Sequence, residues 1–274
     1  MNARIVLVTL EYPPDVGGVA QYLRGLVEAS GGDVDVLTKK TERFFRSTWP
    51  RWRPLVNVIR ALRLRGFEHV LVSHVLPVGT AAWIAKKCGG LPYSVIIHGL
   101  DLRCAKKTFV KRWLARHVLR TAANVIANSE IVAREIRAFD RRLDPLVLKP
   151  AMMPRAFPPR EEARRVLVLR EEDKVVLAVT RLVPRKGIDR LMEALAILPE
   201  RYRLVVIGDG EDRVRLEYLA DPVRGRVTFL GNVSDEVRDR WYAAADVFAL
   251  PVREEADDVE GFGIVFLEAA RAGV

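Results

Sequence analysis

Cysteine is nearly absent from this sequence. Cys88 and Cys104 are the only two, and neither has metal-ligand spacing. No disulfide framework is implied, and a reduced cytosolic setting fits. Long hydrophobic runs are missing too. The best candidate, around Ala81 to Ile97, is broken by Lys86-Lys87 and falls short of a membrane span. No N-terminal signal peptide is expected, because the chain reads as a strand from Arg4 onward. What remains is a globular chain of 274 residues, 50% hydrophobic and 29% charged, with length for one large or two ordinary domains.

The charge is uneven. Residues 1–150 hold 25 of the 45 Lys and Arg against 12 of the 35 Asp and Glu. Residues 151–274 hold the other 20 against 23, so the net +10 is a first half at +13 and a second at −3. A basic half points to an anionic partner: phospholipid, nucleic acid or a phosphorylated acceptor. Within it, Phe44, Phe45, Trp49, Trp52, Leu55, Val58 and Ile59 interleave with Arg43, Arg46, Arg51, Arg53, Arg60, Arg63 and Arg65. Residues 43–65 therefore have the composition of an anionic-membrane interface segment. Stacking on single-stranded nucleic acid is a weaker reading. A surface loop and helix with aromatics packed inward is a third.

Short apolar runs alternate with helical periodicity along the chain, which predicts an α/β fold with parallel sheets. Strands are expected at Ile5–Leu10, Val34–Leu37, His69–Val72, Tyr93–Ile97, Val125–Asn128, Val175–Val179, Leu204–Ile207, Val227–Leu230 and Asp246–Leu250. Helices are expected at Val19–Ala29, Val78–Ala85, Ala105–Arg120, Glu130–Phe139 and Ile188–Leu198, from Ser234, and from Ile264. Prolines 150, 154, 158 and 159 mark a linker, giving domains at 1–150 and 161–274 joined by 151–160. Asp33-Val34-Asp35 places two aspartates on one strand face, but at a strand start these read as solvated ends, so no metal is expected.

Ligands in doubly wound sheets bind beyond the carboxyl ends of the strands. Several chemically capable residues fall there. Gly17-Gly18 follows the first strand and opens a helix, where free N–H groups suit a phosphate. His98 ends another strand, followed by Gly99-Leu100-Asp101. Arg181 and Lys186 follow a third, just before a helix start; two cations plus the helix dipole suit a diphosphate. Gly208-Asp209-Gly210 lacks the third glycine of a dinucleotide fingerprint, with Arg213 in its place. Near the end, Glu260-Gly261-Phe262-Gly263 precedes a helix that carries Glu268. Two carboxylates beside exposed N–H groups suit a polyhydroxyl ligand such as a sugar or ribose.

Glu-x-Phe-Gly with a second Glu eight residues after the first, together with the Arg181…Lys186-Gly187 step, resembles the donor site of retaining family 4 (group 1) glycosyltransferases. The resemblance implies a GT-B architecture, two Rossmann-like domains facing a cleft, and transfer of a sugar from a nucleotide-diphosphate donor. The acceptor is left open and is lipid-linked in one reading; the setting is cytoplasmic, with the inner membrane face as an option. By the same resemblance, Arg181 and Lys186 hold the diphosphate, Glu260 orients sugar hydroxyls and Glu268 binds ribose. Gly261, Phe262 and Gly263 offer backbone contacts, and Gly17 and Gly18 line the phosphate side. Asn232 and Val233 lie under the base, and His98 sits beside the transferred sugar. No cofactor is expected. The family's Asn-Gly-Val-Asp-like hinge is replaced by Ala151-Met152-Met153. The second domain is expected to be incomplete, because the family continues with further βα units and a returning helix. An epimerase or phosphorylase on the same fold, or a non-catalytic fragment binding membrane or nucleotide, are the alternatives.

Overall fold

The computed structural model describes residues 4–15, 17–42, 44, 52–151, 156–253 and 263–274. The chain divides into two units, Met1–Met153 and Pro154–Val274.

The first unit is a six-stranded parallel sheet in the order β2-β1-β3-β4-β5-β6. Its strands are β1 (Ile5–Thr9), β2 (Val34–Thr38), β3 (His69–Ser73), β4 (Tyr93–Ile97), β5 (Val125–Ala127) and β6 (Leu146–Val147). Its helices are α1 (Gly18–Ala29), α2 (Arg53–Ala61), α3 (Thr80–Lys87), α4 (Leu100–Lys106), α5 (Phe109–Thr121) and α6 (Glu130–Phe139). β4 is buried along its whole length, which is why it reads as an unbroken apolar run rather than an alternation. The order reverses between β1 and β3, so the loops after those two strands open at a topological switch point. A cavity of about 610 Å³ with mainly apolar walls, including Ile5, Leu26, His69, Leu71 and Ile126, borders the start of β1 and β3 instead. It lies toward the opposite strand ends from those loops.

One expectation changes here. The single helix predicted over Ala105–Arg120 is two helices. Thr108 caps a new start, its hydroxyl accepting from the backbone N–H of Lys111. In the described part of the 43–65 segment most apolar residues turn inward, with Leu64 the exception at 91% exposed. Phe44, Leu55, Val56, Ile59 and Leu62 are all buried, and Trp52 and Val58 pack against the same core. α2 begins at Arg53-Pro54, a proline-started helix whose apolar stripe closes over the sheet while its arginines stay wet. Arg43, Phe45, Arg46, Trp49 and Arg51 lie outside the described residues.

The second unit has a four-stranded parallel sheet in the order β10-β7-β8-β9. It contains α7 (Arg160–Val166), β7 (Lys174–Val179), α8 (Ile188–Ile197), β8 (Tyr202–Ile207) and α9 (Arg213–Leu219). β9 (Val227–Gly231), α10 (Asp235–Ala244), β10 (Val247–Phe248) and α11 (Ile264–Arg271) follow. α7 was not foreseen, since Pro158-Pro159 reads as linker; Pro159 instead precedes its first turn. Asp246 anchors α7 to the sheet. Its carboxylate accepts from Val175 N at 2.8 Å and pairs with Arg160 at 2.9 Å and Arg164 at 3.5 Å. Burial pushes the Asp246 carboxyl up, but those donors hold it below the ordinary range.

Asp35 is paired with Arg4 at 3.2 Å, and no metal-ligand cluster occurs among the described residues.

Candidate active site

In the second unit, Arg181 and Lys186 follow β7 and Asn232 and Val233 follow β9, each pair beyond the carboxyl end of its strand, while Glu268 lies on α11. Arg181 lies two residues past β7, on a segment held from both sides. Thr180 N donates to Ile207 O at 2.9 Å, and Leu182 N donates to Asp209 O at 3.0 Å. Gly208 and Gly210 make that approach feasible. A Cβ on Gly208 would stand 1.9 Å from Thr180 O, and one on Gly210 would stand 2.1 Å from Leu182 O. The Gly-x-Gly step is thus a packing device that fixes the Arg181 loop. The Arg181 side chain is exposed, and among the described residues no carboxylate pairs with it.

Lys186 sits on a single 3-10 turn, Pro184–Lys186, and is 9% exposed. Gly187 then caps α8 at φ +69°, where a Cβ would meet Pro251 O at 2.2 Å. The turn is braced by Arg253. Its guanidinium donates to Pro184 O at 2.8 Å and to both oxygens of Asp189 at 2.9 and 3.0 Å. Burial pushes the Asp189 carboxyl up, yet Arg253 draws it below its ordinary value. Asn232 and Val233 follow β9 on the same edge of this sheet. Glu268 lies on α11, held by Tyr242, whose hydroxyl donates to Oε2 at 2.9 Å, with Arg238 3.6 Å from Oε1. Burial, with the adjacent Glu268 carboxylate second, pushes the Tyr242 hydroxyl far up, so it stays a donor. Gly263 caps α11 at φ +65°. Glu260, Gly261 and Phe262 lie outside the described residues.

In the first unit, His98 follows β4 directly, as the sequence places it. It is the centre of a cluster that the sequence reading missed. Its Nε2 is 3.1 Å from Ser73 Oγ, and the same hydroxyl is 3.1 Å from His74 Nδ1. His74 Nδ1 also lies 2.7 Å from Ser73 O; a carbonyl only accepts, so this nitrogen carries a proton. His74 Nε2 faces Glu11 Oε1 at 3.6 Å. Asp101 fixes the loop, accepting from His98 N at 3.1 Å and from Val75 N at 3.3 Å. Tyr22 meets the His98 ring edge-on at 5.3 Å. The two imidazoles are driven apart in acidity. Burial lowers His98 to about 4, so it is neutral near pH 7. Burial also pushes His74 down, but Glu11 and Asp101 outweigh it and its value is raised. His98 Nδ1 is buried and has no hydrogen-bond partner among the described residues. His74 adopts φ +86°, costly for a non-glycine residue by about 1–3 kcal/mol. Gly17 and Gly18 open α1 after β1, with empty space where a side chain would stand. One rule would have found the missed residues: Glu11 follows β1 and His74 follows β3, at strand ends as His98 does.

These two clusters, one basic and one built on a neutral imidazole, sit at the ligand-binding edges of two parallel sheets. Sequence comparison gives the family. The family described as "Glycosyl transferase 4-like domain" matches residues 4–151, and "Glycosyl transferases group 1" matches residues 159–274. This chain belongs to the family 4, group 1 glycosyltransferases. It is 31% identical to a GDP-mannose-dependent α-(1-6)-phosphatidylinositol monomannoside mannosyltransferase of Mycobacterium tuberculosis, over 99% of this chain and 79% of the relative. A monoacylated-substrate mannosyltransferase of Corynebacterium glutamicum is 27% identical, over 100% of this chain and 79% of its own length. Among solved structures, sucrose-phosphate synthase of Thermosynechococcus elongatus superposes with a TM-score of 0.75 at 22% identity, covering 99% of this chain and 80% of that one. The glycosyltransferase therefore has the GT-B fold of two parallel-sheet α/β domains.

Proposed function

We propose that this glycosyltransferase moves a hexosyl group from a nucleotide-diphosphate sugar to a lipid-linked acceptor, with retention at the anomeric carbon. The observation that carries the donor half is Arg181. It is an exposed guanidinium with no carboxylate partner among the described residues, on a rigid loop beside Lys186 and the start of α8. A diphosphate leaving group gains charge as its bond to the sugar breaks. Fixed cations and a helix N-terminus stabilise that charge most when it is fully developed. Glu268 and Asn232 stand on the same unit for ribose and base, and Glu260 would orient the sugar hydroxyls. His98 offers a neutral ring that can hydrogen-bond a hydroxyl near pH 7 without adding charge. The lipid-linked acceptor and the choice of GDP-mannose as first donor are supported by the relatives' names, and retention by the resemblance to retaining enzymes.

The test is to incubate the protein with GDP-mannose or UDP-glucose and a phosphatidylinositol mannoside, follow nucleoside diphosphate release, and determine the product anomer by NMR. Donor-dependent release with an α-linked product supports the proposal. No release with either donor sinks it, and a β-linked product sinks retention.

A further inference from the structure

α5 carries apolar residues on two opposite faces. At 100° per residue, Ala115, Val118 and Leu119 form one stripe, and all three are buried. Phe109, Val110 and Trp113 form the other, centred opposite, and they are 82%, 69% and 48% exposed. The core does not need them. Exposed Lys107 precedes them and exposed Lys111 and Arg112 lie between them in sequence, while Lys106 sits over the Phe139 ring; the run from Lys106 to Trp113 contains no carboxylate. The patch extends sideways: the Trp113 ring lies 4.1 Å from His117, which neighbours Trp83, and Lys87 Nζ sits 4.5 Å over Trp83.

We propose that this α4–α5 corner docks on an anionic lipid bilayer. Large exposed apolar side chains interspersed with exposed cations suit the headgroup boundary, where rings enter the acyl region and ammonium groups meet lipid phosphates. The charge favours a bilayer over a second copy of this chain, since two such corners would repel. The position has a consequence that rests on the lipid-linked acceptor reading. α4 starts two residues after His98 and ends at Lys106, and its seven residues span about 10 Å. A lipid held at the corner would thus lie a short helix away from the His98 loop.

The test is co-sedimentation of the full chain with phosphatidylcholine vesicles, with and without phosphatidylglycerol. The variants are Lys107→Ala/Lys111→Ala and Phe109→Ser/Trp113→Ser, with circular dichroism to check folding. All four residues are exposed, so the fold should persist. Wild type should pellet with anionic vesicles and less so in high salt. Each basic residue at such a surface contributes about fivefold, so the lysine pair should lose about 25-fold in partitioning. The aromatic pair should lose at least tenfold. Equal pelleting with neutral vesicles, none with either, or variants that bind like wild type would overturn the proposal. So would self-association in lipid-free buffer that the aromatic pair abolishes. Pelleting needs no sugar transfer, so its failure is distinct from failure of the donor assignment.

Discussion

Arg253 grips Asp189 through both carboxylate oxygens, at 2.9 and 3.0 Å. This pair ties the segment after β10 to the first turn of α8, and Arg253 N also donates to Arg185 O at 2.8 Å. The turn bearing Lys186 is clamped between them. Charge-assisted bonds of this kind contribute about 1.5–3 kcal/mol. Arg215 also pairs with Asp189, at 3.4 Å, so Arg253→Ala should cost toward the lower end. It should also weaken nucleoside diphosphate binding severalfold by loosening Lys186. Denaturant melts and nucleotide titrations of one preparation check both effects; lost stability with intact affinity would separate the brace from the site.

Gly208→Ala should be worse than its size suggests. The residue has φ +122°, and its Cβ would fall on Thr180 O. The backbone carrying Arg181 must then move. A loss of about 2–4 kcal/mol is expected, in the range of overpacking and backbone strain combined, together with loss of nucleotide binding. A variant as stable as wild type would mean that the loop has slack.

The Glu11–His74 pair predicts a pH dependence. His74 is raised above its ordinary 6.5, so its contribution is complete below that value and fades as pH rises through the folded value. Glu11 is lowered from its ordinary 4.5, chiefly by His74, so its contribution holds above that value and is lost as pH falls through the folded one. The melting temperature of wild type minus that of Glu11→Gln should therefore be largest between about pH 4.5 and 6.5 and shrink as pH moves beyond that range on either side. Glu11 is 47% exposed, so solvent screening limits the gap to about 1 kcal/mol. A gap that does not change with pH would contradict the pairing.

Leu55, on the inner face of α2, is fully buried. Leu55→Ala should cost about 2–5 kcal/mol in stability and leave vesicle binding by the folded protein unchanged. A neutral effect on stability would return residues 52–65 to the surface.

Much of the fold was legible because local and global signals agree. Tyr93–Ile97 and Glu130–Phe139 match their sequence limits, one as an apolar run closed by His98-Gly99, the other as a periodic helix capped by Ser129, whose hydroxyl accepts from Val132 N. The break at Thr108 was hidden because helical periodicity runs through it. The 43–65 segment is ambiguous in sequence because arginine mixed with aromatics describes both a membrane face and a helix closing over a sheet. Only the direction of the stripe distinguishes them. α5 conceals the reverse, its outward face reading as a plain basic helix. The strand-end positions of Arg181 and His98 were legible because each follows an apolar run in sequence. Glu11, Ser73 and His74 escaped because their meeting depends on β1 and β3 being neighbours, which no single stretch declares.

Calorimetric titration of GDP and UDP into wild type and Arg181→Ala tests the donor site most directly. Arg181 makes no internal ion pair among the described residues, so its removal should leave folding intact. Loss of a charge-assisted phosphate contact of about 1.5–3 kcal/mol should weaken the nucleotide that binds by about tenfold or more. Unchanged affinity for that nucleotide in Arg181→Ala would remove the β7–α8 edge from the site and contradict the assignment.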